Sequence, residues 1–268
     1  VVALVIVFAV GLARAQSIPQ PPENALGYFL RALQAEAGVN VRGMVQERQL
    51  FPPRKEPAAT RTDFPAPPPL AVALLRRNWT AQASLGEQVA GRDSYRVDLT
   101  SSNQNAPRFT YWFDREWNVR LAVEERDANG ALTYSARYSS IERPTKRNAP
   151  RQLARLELRP KLEDFVRNQI GAYTLPDGFR LMDLRPRTVR DNLPALDLRA
   201  SNGLSVLVIV FSPVSTGKNP KLVVRDLKGS WVWVVGNLPT PDLETVARSI
   251  RAPLDIGSLL NGLSDLPR

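Results

Sequence analysis

Residues 74–99 read LLRRNWTAQASLGEQVAGRDSYRVDL, and the beat set there governs the chain as far as Ile141. Apolar residues recur at every second position in Trp79, Ala81, Ala83, Leu85, then in Tyr95, Val97, Leu99, and again in Phe109, Tyr111, Phe113. Val119, Leu121, Val123 and Leu132, Tyr134, Ala136, Tyr138 repeat it, with Arg96, Asp98, Arg120 and Glu124 in the alternate places. A period of two over successive short segments specifies strands with one wet face and one apolar face. Gly91-Arg92 and Asn129-Gly130 supply turns between them, so the segments pair most simply as an antiparallel meander. Its apolar face has to be covered: by the chain's own helix, which gives a plain core, or in part by a lipid or a partner's chain, which gives a binding site.

Upstream of the meander, Asn24 can cap a helix on which Leu26, Phe29, Leu30 and Leu33 fall at i, i+3, i+4 and i+7. That stripe is the natural lid. Val39, Val41 and Val45 alternate with polar residues and predict a first strand. Between Leu50 and Pro69 stand Pro52, Pro53, Pro57, Pro65, Pro67, Pro68 and Pro69, a composition that predicts a loop or an extended strap across the open side of the sheet, and no sheet pairing.

After the meander the composition changes. Arg143, Lys146, Arg147, Arg151, Arg155 and Arg159 face one acid, Glu157, among prolines, which reads as an interdomain linker that can double as an anion-binding strip. The second half opens with a helical pattern at Leu162, Phe165, Val166 and Ile170 that Gly171 can end. Strand-like runs follow at 179–184 and 196–200, a turn at Ser201-Asn202-Gly203, then the nearly continuous apolar run 204–211 expected of a central strand. Further runs at 222–224 and 231–235 lead to a last helix in which Thr240 is the cap, Pro241 the first position, and Leu243, Val246, Ala247 and Ile250 the buried stripe. The fold class is α+β: a curved, half-open antiparallel sheet with a helix, joined to a small antiparallel α+β unit.

Chemistry is bounded by what is missing. The chain has no histidine and no cysteine, which removes the imidazole base, the Ser-His-Asp arrangement, the thiolate nucleophile, disulfides and nearly all zinc chemistry. Ser215-Thr216-Gly217-Lys218 lacks the upstream glycine and the following hydroxyl of a phosphate loop, and the acid pairs at Asp114-Arg115-Glu116 and Glu124-Glu125 have no partner spacing for acid catalysis. No catalysis and no cofactor are expected. The net charge of +10 points to anionic partners, and the apolar run VVALVIVFAVGL before Ala13-Arg14-Ala15 has the form of a cleaved signal peptide. Export makes nucleic acid the least fitting of those partners and leaves the mature chain peripheral to the membrane.

Two stretches then carry a resemblance. NWTAQASLGEQVAGRDSYRVDL with RFTYWFDREWNVRLAVEERDANGALTYSARYSSIE resembles the large domain of the RseB/MucB family, periplasmic regulators of the envelope-stress sigma factor. LPDGFRLMDLR, LSVLVIVFSP and WVWVVGNLPTPDLETVARSI resemble that family's small C-terminal domain. The resemblance implies a lipoprotein-carrier-like half-barrel and divides the chain into a signal peptide (1–15), an N-terminal domain (22–142), a basic linker (143–160), a C-terminal domain (161–252) and a tail (253–268). It implies a partner, the extracytoplasmic segment of an anti-sigma factor, and a lipid or lipopolysaccharide signal. The chain departs from the family's pattern before Trp79, where a short proline-rich stretch stands in place of further strands and a helix, and at Asn118, a hairpin position where glycine is more usual.

Patterning places the candidate ligand face on Trp79, Leu85, Tyr95, Phe109, Tyr111, Phe113, Tyr134 and Tyr138. The candidate protein-contact residues are Arg151, Arg155, Arg159, Arg180 and Arg185. The competing reading is a periplasmic lipid or lipoprotein carrier that uses the sheet cavity alone.

Overall fold

The computed structural model describes residues 20–51, 56–189, 192–215, 222–227, 229–250 and 257. The signal-peptide stretch, the 216–220 loop and, apart from Gly257, the tail lie outside the described residues. The chain opens with helix α1 (Ala25–Ala37) and strands β1 (Val39–Asn40), β2 (Gly43–Gln49) and β3 (Ala58–Arg61). Helix α2 (Val72–Asn78) leads into the meander β4 (Trp79–Leu85), β5 (Ser94–Ser101), β6 (Arg108–Asp114), β7 (Arg120–Arg126) and β8 (Leu132–Ile141). These strands make a seven-stranded sheet in the order β3-β2-β8-β7-β6-β5-β4, antiparallel throughout.

The period-two reading holds along β5 and β6, where Leu99 faces Phe109, Val97 faces Tyr111 and Tyr95 faces Phe113. Helix α1 lies on that face. Phe29 sets its ring 4.9 Å from that of Tyr111, and Tyr28 meets Tyr95 and Phe113 edge-on at 5.7 Å. The helix buries Ala25, Tyr28, Phe29, Ala32, Leu33 and Ala37, so its stripe is rotated from the predicted one and Leu26 and Leu30 sit at its flank. Alanines at three of these six positions let the helix backbone come close to the sheet, which is why small residues share the stripe. The Asn24 side chain accepts a hydrogen bond from the Gly27 amide at 2.8 Å, as a cap should. Replacing it, Asn24→Ala, is expected to cost about 1 kcal/mol in urea unfolding.

Two expectations before Trp79 are corrected. The proline-rich stretch does hold a strand: β3 pairs with β2 at the sheet's edge, because Ala58-Ala59-Thr60-Arg61 is free of proline and an edge strand pairs on only one side. The helix α2 also lies there, where no helix was read. Seven residues are too few to show a helical period, so VALLRRN passes for the start of a strand in sequence. Asn118 has φ +53°, a left-handed turn position that asparagine tolerates without glycine.

The basic segment 143–159 does not hang between two bodies. Its β9 (Thr145–Lys146) pairs with β1, Arg151 N–H bonds the Ala37 carbonyl at 2.8 Å, and Leu153 packs against the core under α1. Leu70 forms a parallel bridge to Arg155.

The second lobe begins with α3 (Pro160–Ile170), which ends at Gly171 with φ +76°. Strands β10 (Arg180–Thr188), β11 (Pro194–Ser201), β12 (Val206–Ser212), β13 (Val223–Asp226) and β14 (Trp231–Val235) form an antiparallel sheet in the order β10-β11-β12-β14-β13. The apolar run takes the central place in that order. Helix α4 (Thr240–Ser249) starts one residue earlier than predicted, with Pro239 at the cap and no capping bond from Thr240. Leu243, Val246 and Ala247 join Leu207, Ile209, Val232 and Val234 in a separate core. Arg225 Nη1 donates to the carbonyls of Ala247, Arg248 and Ile250 and so closes the helix's negative end.

Candidate binding clefts

The turn between β11 and β12 is built to enter the first lobe. Ser201 Oγ accepts from the Gly203 amide and donates to the Ser205 carbonyl, while Asn202 Oδ1 accepts from the Ser205 amide at 3.1 Å. The tight loop pushes Leu204 into the first lobe's core, where it is 1% exposed. Asn78 Nδ2 donates to the Gly178 and Asn202 carbonyls, Trp79 Nε1 donates to the Asn202 carbonyl at 3.2 Å, and the Ala71 amide donates to the Gly203 carbonyl. A second junction lies at Asn237, whose Nδ2 donates to Glu125 Oε1 at 2.6 Å and to Thr133 Oγ1 at 2.9 Å.

Five of the eight ligand-face residues, Trp79, Phe109, Tyr111, Phe113 and Tyr138, are buried. Phe29 covers Tyr111 and Phe113, Phe64 in the strap lies 5.3 Å from the Tyr138 ring, and Trp79 packs on Phe109 at 5.7 Å. Tyr95 and Tyr134 are half-buried, and Leu85 is exposed near the end of β4. Much of the face expected to be open is thus roofed by α1 and the strap. Burial pushes the Tyr138 hydroxyl up to about 12 and raises those of Tyr111 and Tyr134 as well.

A cavity of about 320 Å³ remains between the strap and the two lobes. Phe109, Tyr111 and Tyr134 reach it from the ligand face, and Phe51, Pro65, Val123, Leu204 and Val206 complete its apolar wall. The other predicted face residues, Trp79, Leu85, Tyr95, Phe113 and Tyr138, do not line it. Its polar lining is Arg120, Glu125, Ser205 and Asn237, none of them singled out in sequence for this role.

A register shift between β6 and β7 explains Arg120. Phe113 pairs with Arg120 but Trp112 pairs with Ala122, so the strand slips by one residue and Arg120 turns inward. Leu121, predicted on the inner face, goes outward into a small cluster with Trp112, Ala122 and Val89. Arg120 is 3% exposed; its Nε and Nη2 bond Glu36 at 2.8 and 2.7 Å, and Nη2 also donates to the Pro65 carbonyl. Burial works against its charge, yet the Glu36 carboxylate outweighs burial and holds the guanidinium above its ordinary value. Among the described residues Glu125 has no such charged partner. Burial pushes its carboxyl above the usual carboxylate range, opposed only by the Asn237 hydrogen bond.

A groove of about 550 Å³ runs between α1, α2 and residues 153–158. Leu30, Leu70, Leu74 and Leu156 line it with Leu158, which is 47% exposed. Arg31, Arg76 and Arg155 stand at this groove against one acid, Glu157, and among the described residues none of the three forms an ion pair. Of the predicted protein-contact residues only Arg155 is there. Arg151 lines a smaller cavity of about 150 Å³ beside Tyr138, Arg159 caps α3, Arg180 pairs with Ser201 at the start of β10, and Arg185 is held by Asp183. Among the described residues no three carboxylates gather to hold a metal ion, and no helix is long and apolar enough to cross a membrane.

A seven-stranded antiparallel sheet roofed by a helix and clamped to a five-stranded companion sheet defines the class: a two-sheet α+β scaffold with clefts at its seam. The same scaffold is found in MucB. Its crystal structure matches with a TM-score of 0.56 at 17% identity, over 87% of this chain and 99% of that one. The complex structure of Pseudomonas aeruginosa MucA/MucB and the crystal structure of MucB in complex with MucA(peri) each match at 0.58 and 17% identity, over 85% and 98%. At that identity the likeness is one of fold. No family model and no curated protein sequence matches the chain.

Proposed function

We propose that the chain is a non-catalytic regulator of the RseB/MucB kind, exported to the periplasm, which holds the extracytoplasmic segment of an anti-sigma factor. The observation that carries this reading is the fold shared along 85% of the chain with MucB seen in complex with MucA. The domain division at 22–142, 143–160 and 161–252 belongs to the same proposal, supported by the two separate cores. The groove at α1, α2 and residues 153–158 offers what an acidic, partly apolar segment needs: a leucine floor and arginines that form no ion pair among the described residues. Arg155 is the residue common to the groove and the basic stretch; Arg151, Arg159, Arg180 and Arg185 remain proposed contacts outside the groove.

Calorimetric titration with the MucA periplasmic segment tests the reading. Binding is expected for the full chain, and Arg31→Glu with Arg155→Glu is expected to weaken it at least roughly tenfold, about 1.4 kcal/mol. No binding by the unaltered chain rules the reading out.

The second reading, a lipid or lipoprotein carrier, draws on the cavity behind the strap. A cavity of about 320 Å³ suits a short acyl chain better than a whole lipoprotein anchor, which favours a regulator that also senses a lipid over a shuttle.

A further inference from the structure

The cavity between the strap and the two lobes has polar chemistry of one sign. Glu125 reaches it from β7 and forms no ion pair among the described residues; its one hydrogen bond comes from the neutral amide of Asn237. Ser205 lines the same space, and its buried Oγ has no hydrogen-bond partner among the described residues. The sole cation in the wall, Arg120, is consumed on two sides by Glu36 and on a third by the Pro65 carbonyl. A phosphate or carboxylate entering here finds no free cation among the described residues and sets a second negative group beside a carboxyl whose ionisation burial already disfavours, whereas a protonated amine offsets that burial and favours the carboxylate. A donor finds the opposite: a carboxyl group at close range, a hydroxyl able to turn to it, and the rings of Tyr111 and Tyr134 in the wall. Aromatic and aliphatic walls with a few convergent polar groups are the usual make-up of a small-ligand site.

We propose that this cavity binds a small amphiphile with a short apolar tail and a hydrogen-bond-donating head, best a protonated amine, and rejects anionic heads. A lipopolysaccharide phosphate then has to sit outside it. The proposal does not depend on what the groove holds. It also gives a reason for an ionisable group at this place: a half-buried carboxylate with no cation beside it among the described residues is a poor structural choice, and glutamine would satisfy Asn237 equally well.

Three probes with the same tail test it on the full chain at neutral pH: hexylamine, hexanol and hexanoate, titrated by calorimetry with thermal unfolding in parallel. The amine is expected to bind at least roughly tenfold more tightly than hexanoate, with hexanol between them. Glu125→Gln is expected to bring the amine down to the alcohol's level while leaving the alcohol unchanged. Val206→Trp, which fills the cavity from the second lobe, is expected to abolish all three without changing far-UV circular dichroism. Hexanoate binding as tightly as the amine, an order untouched by Glu125→Gln, binding that survives Val206→Trp, or no binding of any probe overturns the proposal.

Discussion

Gly203→Ala is expected to lower the unfolding free energy by about 3 kcal/mol and to uncouple the two lobes. The residue has φ +122°, where an L side chain is strained before any neighbour is considered. A Cβ built there lies 2.4 Å from Leu75 N, 2.6 Å from Leu75 Cα and 2.9 Å from Leu74 C. All three are backbone atoms of α2, so nothing can rotate away. The turn must retreat, and its retreat strips Asn202 of the bonds from Asn78 and Trp79 and draws Leu204 out of the first core. Urea unfolding followed by tryptophan fluorescence reads both effects: Trp79 lies at the junction, and a single transition should split in two. Gly91→Ala is the matched control. Gly91 also has positive φ, +73°, but a Cβ there meets nothing within 4 Å, so about 1 kcal/mol is expected. Equal losses in the two variants would mean that the close approach to α2 carries no weight.

How far the sequence discloses the molecule depends on the range of the force involved. The meander is legible because period two is local: Tyr95, Phe109, Tyr111 and Phe113 declare their face one residue at a time. The last helix and the central strand β12 are legible for the same reason. The strap is half legible. Its prolines announce extended backbone, but they hide the four-residue β3, and nothing local reports that Phe64 packs on Tyr138 or that the Pro65 carbonyl accepts from Arg120. The site is where legibility ends. Glu125 reads as a solvated strand acid, yet it is enclosed by Asn237, a residue 112 positions later. Asn78, Asn202 and Leu204 look like ordinary turn or cap residues, and nothing in their neighbourhood reports that they meet. The basic stretch reads as a linker because charge and proline are its local features, while its docking rests on backbone bonds to Ala37 and Leu70 that composition does not encode.

Arg120 is the sharpest case, because the alternation that makes β7 legible assigns it to the wrong face. Its burial with Glu36 has a testable consequence. Arg120→Leu is expected to destabilise the chain by roughly 3–5 kcal/mol, the usual result of removing one member of a buried pair. The loss has three parts: Glu36 is left as a poorly solvated carboxylate, the Pro65 carbonyl loses its donor, and Phe64 loses the guanidinium 4.7 Å from its ring. Two of these anchor the strap, so limited proteolysis is expected to cut between residues 62 and 69 well before global unfolding. The double variant Arg120→Leu with Glu36→Leu removes the orphaned charge and is expected to recover most of the loss, to within about 2 kcal/mol of the unaltered chain, since a buried pair exchanged for apolar residues is often neutral. The recovery separates two accounts of the residue. If the double variant regains stability but the strap remains open to protease, Arg120 serves to fasten the strap over the cavity; if it is no better than the single variant, the cost lies in the slipped register of β7 and the ion pair is incidental.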